Sequence, residues 1–191
     1  MLRIITGTAK GKKLKTLEGE ATRPTSERIK EATFSSIQFD IEGRRVLDLF
    51  AGSGQMGLEA LSRGAQRSTF IDLSREAMDI VKQNARTTGF FDVSHFLVSD
   101  WRNYIRKASG REQYDLVFVD PPYAMKCCAE VANYLAEKEL IIPGAIVVLE
   151  SGEEEISLED LRLSGYRAIK STHYGKKTFV NILFYEGREV E

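Results

Sequence analysis

Asp120-Pro121-Pro122-Tyr123 directly follows the apolar run Tyr114–Val119, and no other segment of this 191-residue chain is better equipped for chemistry. A run of that length stopped by two prolines predicts a buried strand that ends abruptly. Its end would present a carboxylate, a carbonyl and an aromatic ring. The prolines hold the backbone extended and remove two N–H donors, which leaves the Pro121 carbonyl able to face a ligand. Such a set suits one task, gripping a planar base by its exocyclic amino group.

A second group of residues lies upstream. Val46-Leu-Asp-Leu-Phe-Ala-Gly-Ser-Gly54 reads as a strand turning through glycines into a helix, where backbone approaches a ligand closely. With Gly57 it spells G-x-G-x-x-G from Gly52, and Asp72 falls at the end of the next strand, where a carboxylate can accept both hydroxyls of a ribose. On these features alone a nicotinamide-dependent dehydrogenase stays open. Asp48 weighs against it, because a carboxylate ahead of the glycines repels a pyrophosphate and attracts a cation. S-adenosylmethionine, with its sulfonium and ammonium, is a cofactor of that kind. The bland alternative for Asp48 is a loop-bracing or capping role. Asp100-Trp101 adds a carboxylate for an adenine amino group and a ring beside the purine, and Asp100 can equally cap the next helix.

The elements that must position these groups follow from periodicity. Past residue 45, strand-like runs alternate with helical patterns, which predicts an α/β fold with a mainly parallel sheet. Strands are expected at Arg45–Phe50, Arg67–Asp72, Val93–Ser99, Tyr114–Asp120 and Ala145–Glu150, and helices near Gln55–Arg63, Ser74–Thr88, Trp101–Ala108 and Ala124–Lys138. Leu163–Lys170 and Lys177–Tyr185 flank a turn around Gly175 and predict a terminal antiparallel hairpin, for seven strands in all. Asp48, Asp72, Asp100 and Asp120 then all fall at strand ends, in the crevice where open α/β sheets bind ligands. Upstream, Ile4–Thr6 and Lys13–Thr16 flank Gly7 and Gly11 and suggest a small β-hairpin, and Thr25–Asp40 reads as a helix behind Pro24. The division expected is a basic hairpin appendage over residues 1–22 and one catalytic domain over 23–191.

Composition bounds the rest. At 42% hydrophobic and 29% charged, the chain reads as globular, with neither disorder nor fibre indicated. No apolar stretch approaches the roughly 20 residues that span a bilayer, and the N-terminus lacks the apolar core of a secretory signal, so a cytoplasmic protein is expected. The only cysteines, Cys127 and Cys128, are adjacent and fit neither a disulfide staple nor zinc-ligand spacing. A metal-free protein is expected. The net charge is −1, yet residues 1–30 carry eight basic against three acidic side chains. That asymmetry marks either a polyanion-facing arm or a solvated charged hairpin.

The block Asp48–Gly54 with Asp72, Asp100 and Asp120–Tyr123 resembles class I S-adenosylmethionine-dependent methyltransferases, whose fold is a Rossmann-like seven-stranded sheet with a terminal antiparallel hairpin. Arg23-Pro-Thr-Ser-Glu-Arg-Ile-Lys-Glu-Ala-Thr-Phe34 and Gly52-Ser-Gly-Gln-Met-Gly-Leu-Glu-Ala-Leu-Ser-Arg-Gly-Ala65 are similar to the bacterial RsmD family, which methylates the exocyclic N2 of a guanine in 16S ribosomal RNA. The resemblance implies cofactor contacts from Asp48, Phe50, Ala51, Gly52, Gly54, Asp72, Leu73, Asp100 and Trp101. It implies catalysis at Asp120, Pro121, Pro122 and Tyr123, with S-adenosylhomocysteine as product. Phosphates of the RNA would meet Arg3, Lys10, Lys12, Lys13, Lys15, Arg23 and Arg28. The implied partner is 16S rRNA in an assembling or assembled small subunit, approached by a monomer with no membrane involved. A DNA adenine-N6 methyltransferase is the nearest rival, since the same four residues can hold any exocyclic amine. A catalytically idle RNA-binding module is the other.

Overall fold

The computed structural model describes residues 2–17, 24–152, 156–175 and 177–188. Seven strands, β1 (Arg45–Asp48), β2 (Arg67–Asp72), β3 (Ser94–Val98), β4 (Tyr114–Val119), β5 (Ile141–Ser151), β6 (Tyr166–Tyr174) and β7 (Thr178–Tyr185), form a sheet in the order β3-β2-β1-β4-β5-β7-β6. This is the expected class I methyltransferase fold, with β7 antiparallel to both β5 and β6. The helices are α1 (Pro24–Ser36), α2 (Gln55–Ser62), α3 (Arg75–Thr88), α4 (Trp101–Ala108), α5 (Cys128–Glu137) and α6 (Leu158–Leu163). The chain divides into two compact units, Met1–Trp101 and Arg102–Glu191.

In the first unit β1 pairs in parallel with β2, and β2 with β3. Val46, Leu47, Phe70 and Ile71 are buried on these strands, and Leu58, Met78, Val81 and Ala85 pack from α2 and α3. Each fully buried aliphatic side chain of this kind contributes about 1.5–3 kcal/mol. Helix α3 starts at Ser74, whose hydroxyl accepts from the Ala77 N–H, and stops at Gly89 with φ 88°. Both ends are as its sequence dictates. The N-terminal hairpin is shorter than expected, with a single antiparallel bridge between Arg3 and Lys13. It is nevertheless firmly seated, since Leu2, Ile4, Ala9 and Leu14 are buried while Arg3, Lys10, Lys12, Lys13 and Lys15 point outward.

In the second unit β4 pairs in parallel with β5, and a register shift between Tyr114 and Leu116 absorbs extra β5 residues around Pro143 and Gly144. A proline and a left-handed glycine inside a strand require such an irregularity, which is why β5 starts earlier than its apolar run suggests. Three further expectations shift. The helix expected over Ala124–Lys138 is split, because Lys126 adopts φ 45° between a 3-10 turn at Tyr123–Met125 and α5. Leu163, expected to begin a strand, closes α6, so that β6 starts at Tyr166. The hairpin turn is tighter than expected, with β6 running to Tyr174.

Candidate functional site

The first unit builds its loop around the side chains of Asp48, Asp72 and Asn84. Asp48 is the last residue of β1 and is buried, and its Oδ2 accepts the Gly57 N–H at 3.0 Å. Asp72, the last residue of β2, accepts the Gly52 N–H at 2.9 Å on one oxygen and the Ser74 N–H at 2.8 Å on the other. Gly52 and Gly54 take φ of 52° and 78°, a region that other residues enter at a cost. Gly57 answers a different demand: a Cβ there would lie 2.4 Å from Cε1 of Phe70 and 2.6 Å from Oγ of Ser68. The three glycines of the motif thus shape the loop twice and let α2 approach β2 once.

Burial governs the charge of Asp48. It pushes the carboxyl up to about 7, the Gly57 N–H opposes the rise, and the Asp72 charge adds to it. No basic side chain pairs with Asp48 among the described residues. An acid group held in this way costs stability as pH climbs from about 4 to about 7, because the folded chain must then ionise a carboxyl that the unfolded chain ionises freely. A cation placed against it would remove that cost. The residues therefore fit a cationic ligand and do not fit a pyrophosphate.

The remaining expected cofactor residues of this unit are distributed along its loops. Ala51 is buried and donates its N–H to the Ile71 carbonyl at 2.9 Å, and Phe50 is half-buried. Leu73 is 74% exposed directly after Asp72, an apolar side chain left in the open at a strand end. Asp100 is half-buried and Trp101 is buried at the start of α4. Asn84, buried on α3 beside Ala77, Val81 and Ala85, proves to be a clamp. Its Nδ2 donates to the carbonyls of Ser53 at 2.9 Å and Lys15 at 3.0 Å, and its Oδ1 accepts the Lys15 N–H at 2.8 Å. A polar residue on an apolar stripe was the available signal.

Glu59 is a second residue that sequence reasoning missed. It is wholly buried on α2, and its carboxylate accepts the Ile5 N–H at 2.7 Å and the Thr6 N–H at 3.0 Å. The Arg63 Nε lies 2.9 Å away and the buried Lys30 ammonium 3.8 Å away. Lys30 also donates to the Arg3 carbonyl at 2.7 Å, and burial lowers its pKa. The basic segment is therefore locked to the unit by main-chain bonds, and its cations differ in availability. Lys12 donates to the Thr87 and Thr88 carbonyls at the end of α3, Lys15 to Gln83, and Arg3 lies 3.6 Å from Glu27. Lys10 and Lys13 are exposed and have no ion-pair partner among the described residues, and Arg28 is exposed on α1. Arg23 lies outside the described residues.

The second unit carries the four-residue motif. Strand β4 ends at Val119, Asp120 is exposed, Pro121 is buried and the Pro122 carbonyl accepts the Met125 N–H at 2.8 Å. Tyr123 donates its hydroxyl proton to Oε1 of Glu150 at 3.1 Å and lies 3.0 Å from Oγ1 of Thr178. Burial pushes its phenol up to about 12, with the Glu150 and Asp120 charges adding to the rise and the Thr178 hydroxyl opposing it. The phenol is thus a neutral donor at ordinary pH and cannot serve as a base. Glu150 is likewise raised by burial, against the Tyr123 hydrogen bond that favours its charged form.

Comparison with known proteins agrees with these features. The family model described as "Conserved hypothetical protein 95" matches residues 2–183. The Ribosomal RNA small subunit methyltransferase D of Haemophilus influenzae is 31% identical over 81% of this chain and 80% of its own length. The protein of the same name from Escherichia coli K12 is 32% identical over 80% of this chain and 76% of its own. Among solved structures, "Putative methyltransferase yhhF from Escherichia coli" superposes with a TM-score of 0.84 at 27% identity, covering 98% of this chain and 99% of that one. A SAM-dependent methyltransferase from Agrobacterium tumefaciens shares the fold, with a TM-score of 0.65 at 17% identity over 86% of this chain and 63% of that one. With a matched family model over nearly all its length and two such relatives, this chain belongs to the "Conserved hypothetical protein 95" family, the RsmD family of methyltransferases.

Proposed function

We propose that this protein transfers a methyl group from S-adenosylmethionine to the exocyclic N2 of a guanine in 16S ribosomal RNA. The observation that carries the reading is the tethered Tyr123 beside an exposed Asp120 and two prolines at the end of β4, a group built for a planar amine. The two relatives named for small-subunit ribosomal RNA support the polymer and the reaction, in preference to DNA adenine.

In this reading the buried Asp48 meets the cationic amino-acid end of the cofactor, and Asp72 keeps a lone pair on each oxygen for the ribose while bracing the loop. Leu73, Asp100 and Trp101 take the adenine, and Phe50, Ala51, Gly52 and Gly54 line the approach. The bound cofactor supplies a methyl group already activated by its sulfonium. What remains is to make a poor nucleophile ready. The Asp120 carboxylate and the Pro121 carbonyl accept the two amino hydrogens, which favours a pyramidal nitrogen with its lone pair free. Positioning of this kind is worth roughly 7–11 kcal/mol when orientation is good. The proton leaves only after the nitrogen is cationic, to Asp120 or to water, so no strong base is required. Tyr123 stacks on the base for about 1–3 kcal/mol.

The phosphates meet Arg3, Lys10, Lys12, Lys13, Lys15 and Arg28, with Arg23 proposed for the same role, and the protein acts as a monomer on an assembling or assembled subunit. The test incubates the protein with methyl-labelled cofactor and small subunits from a strain lacking the enzyme, then maps the label. Label on guanine N2 of 16S rRNA is expected. Label on another atom or polymer, or none, overturns the assignment.

A further inference from the structure

We propose that Glu150 and Thr178 are positioning residues that hold the Tyr123 ring in the one orientation in which it receives the target base. The inference rests on the methyltransferase reading and deepens it, since it names what orients the stacking platform. Tyr123 is 40% exposed, so its ring is open to a ligand, yet both ends of the side chain are fixed. At the far end the single phenolic proton goes to Glu150 Oε1 at 3.1 Å, which leaves the Thr178 hydroxyl, 3.0 Å away, to donate to the phenolic oxygen. At the near end Gly152 lies so close that a Cβ there would come within 2.8 Å of Tyr123 Cβ and Cγ and 3.1 Å of Cδ2.

Three separate positions therefore define the ring: the end of β5, the glycine after it and the first residue of β7. None of the three belongs to the motif itself. A tyrosine on a 3-10 turn would otherwise sample several rotamers, and each base would have to order it on arrival. Tethering the hydroxyl removes that cost before binding, so the bonds act on turnover through the placement of the ring. The phenol stays protonated, which keeps the tether intact across the working pH range.

The experiment measures kcat and KM for RNA methylation, cofactor affinity and the urea midpoint in the full chain. Glu150→Ala and Thr178→Val should each lower kcat/KM for RNA about three- to ten-fold, the equivalent of one lost hydrogen bond, and Tyr123→Phe, which loses both bonds, should lower it further. Cofactor affinity should stay unchanged, since none of the three side chains is assigned to the cofactor. Glu150→Gln and Thr178→Ser, which keep an acceptor and a hydroxyl, should restore most of the loss. Glu150→Ala should cost nothing further in a Tyr123→Phe background. Gly152→Ala, which displaces the ring with both partners intact, should cost roughly 100-fold, the scale of a 1 Å misplacement.

Additive losses for Tyr123→Phe and Glu150→Ala, or full activity in Glu150→Ala and Thr178→Val while Tyr123→Ala is inactive, would overturn the positioning role and leave the methyltransferase reading standing. Full activity in Tyr123→Ala would overturn the base platform itself. If Glu150→Ala fails to fold, Tyr123→Phe with Thr178→Val decides the question, because both keep Glu150 in place.

Discussion

The loop of the first unit and the motif of the second are fixed by opposite means. Around Gly52 and Gly57 the backbone does the binding: amides donate to Asp48 and Asp72, and Asn84 fastens the Ser53 carbonyl. Around Tyr123 the side chain is held by its tip, while Asp120 stays exposed. A loop held by its own amides is preformed whatever the side chains at its rim are. A ring held by its hydroxyl depends on two residues of other strands. Under the proposed function, the cofactor side is therefore set by main-chain geometry, and the acceptor side by side chains that substitution can tune.

The sharpest way to separate the two sides is Asp120→Ala. We expect turnover to fall by a factor on the order of 100–1,000, the scale of losing one group aimed at the reacting atom, with cofactor affinity unchanged. Calorimetry with the cofactor alone, set beside a methylation assay, reads both quantities, and a parallel loss of affinity would mean the sides are not independent. Comparable in size, but read on stability, is Glu59→Ala, which strands the Ile5 and Thr6 amides and leaves Lys30 buried without its partner. Breaking such a pair from one side costs about 3–5 kcal/mol, readable as a lowered urea midpoint.

A smaller effect, and a more specific one, concerns pH. Because Asp48 sits near 7 when no cation faces it, cofactor binding must displace its proton below that pH. Affinity should therefore tighten as pH rises toward 7 and level off above it, by up to about ten-fold per pH unit on the acid side. Asp48→Asn should bind more weakly and show a flat profile; a slope that survives in the variant would assign the titration to another group. The smallest change expected is at the rim. Lys10→Ala or Lys13→Ala should weaken RNA binding uniformly and reduce the salt slope by about one each, with no effect on the cofactor. Filter binding at several salt concentrations would show it.

Much of this was legible in the order of residues. The alternation of runs places all seven strands and five helices; Asp72 closes β2 as expected, and Asp48 closes β1 two residues before the expected end at Phe50. The errors have local causes. Lys126 entered the left-handed region in a stretch that periodicity reads as continuous helix, and Pro143 with Gly144 was accommodated by a bulge inside β5. The short α6 carries too few residues to show a helical period.

Sequence by itself determined the chemical groups and their strand ends, because a buried run and the residue that stops it are neighbours in the chain. It also determined where glycine was needed for the loop. Only the tertiary structure decided what each group leans on. Glu59 is 53 and 54 residues from the amides it binds, Asn84 is 69 from Lys15, and Thr178 is 55 from Tyr123. No local pattern couples positions so far apart; packing brings them together, and burial then sets their charge. The same burial that turns Asp48 into a group poised near neutrality keeps the Tyr123 phenol protonated. A carboxylate and a phenol read from sequence carry ordinary acidities, and desolvation by the folded chain is what moved both.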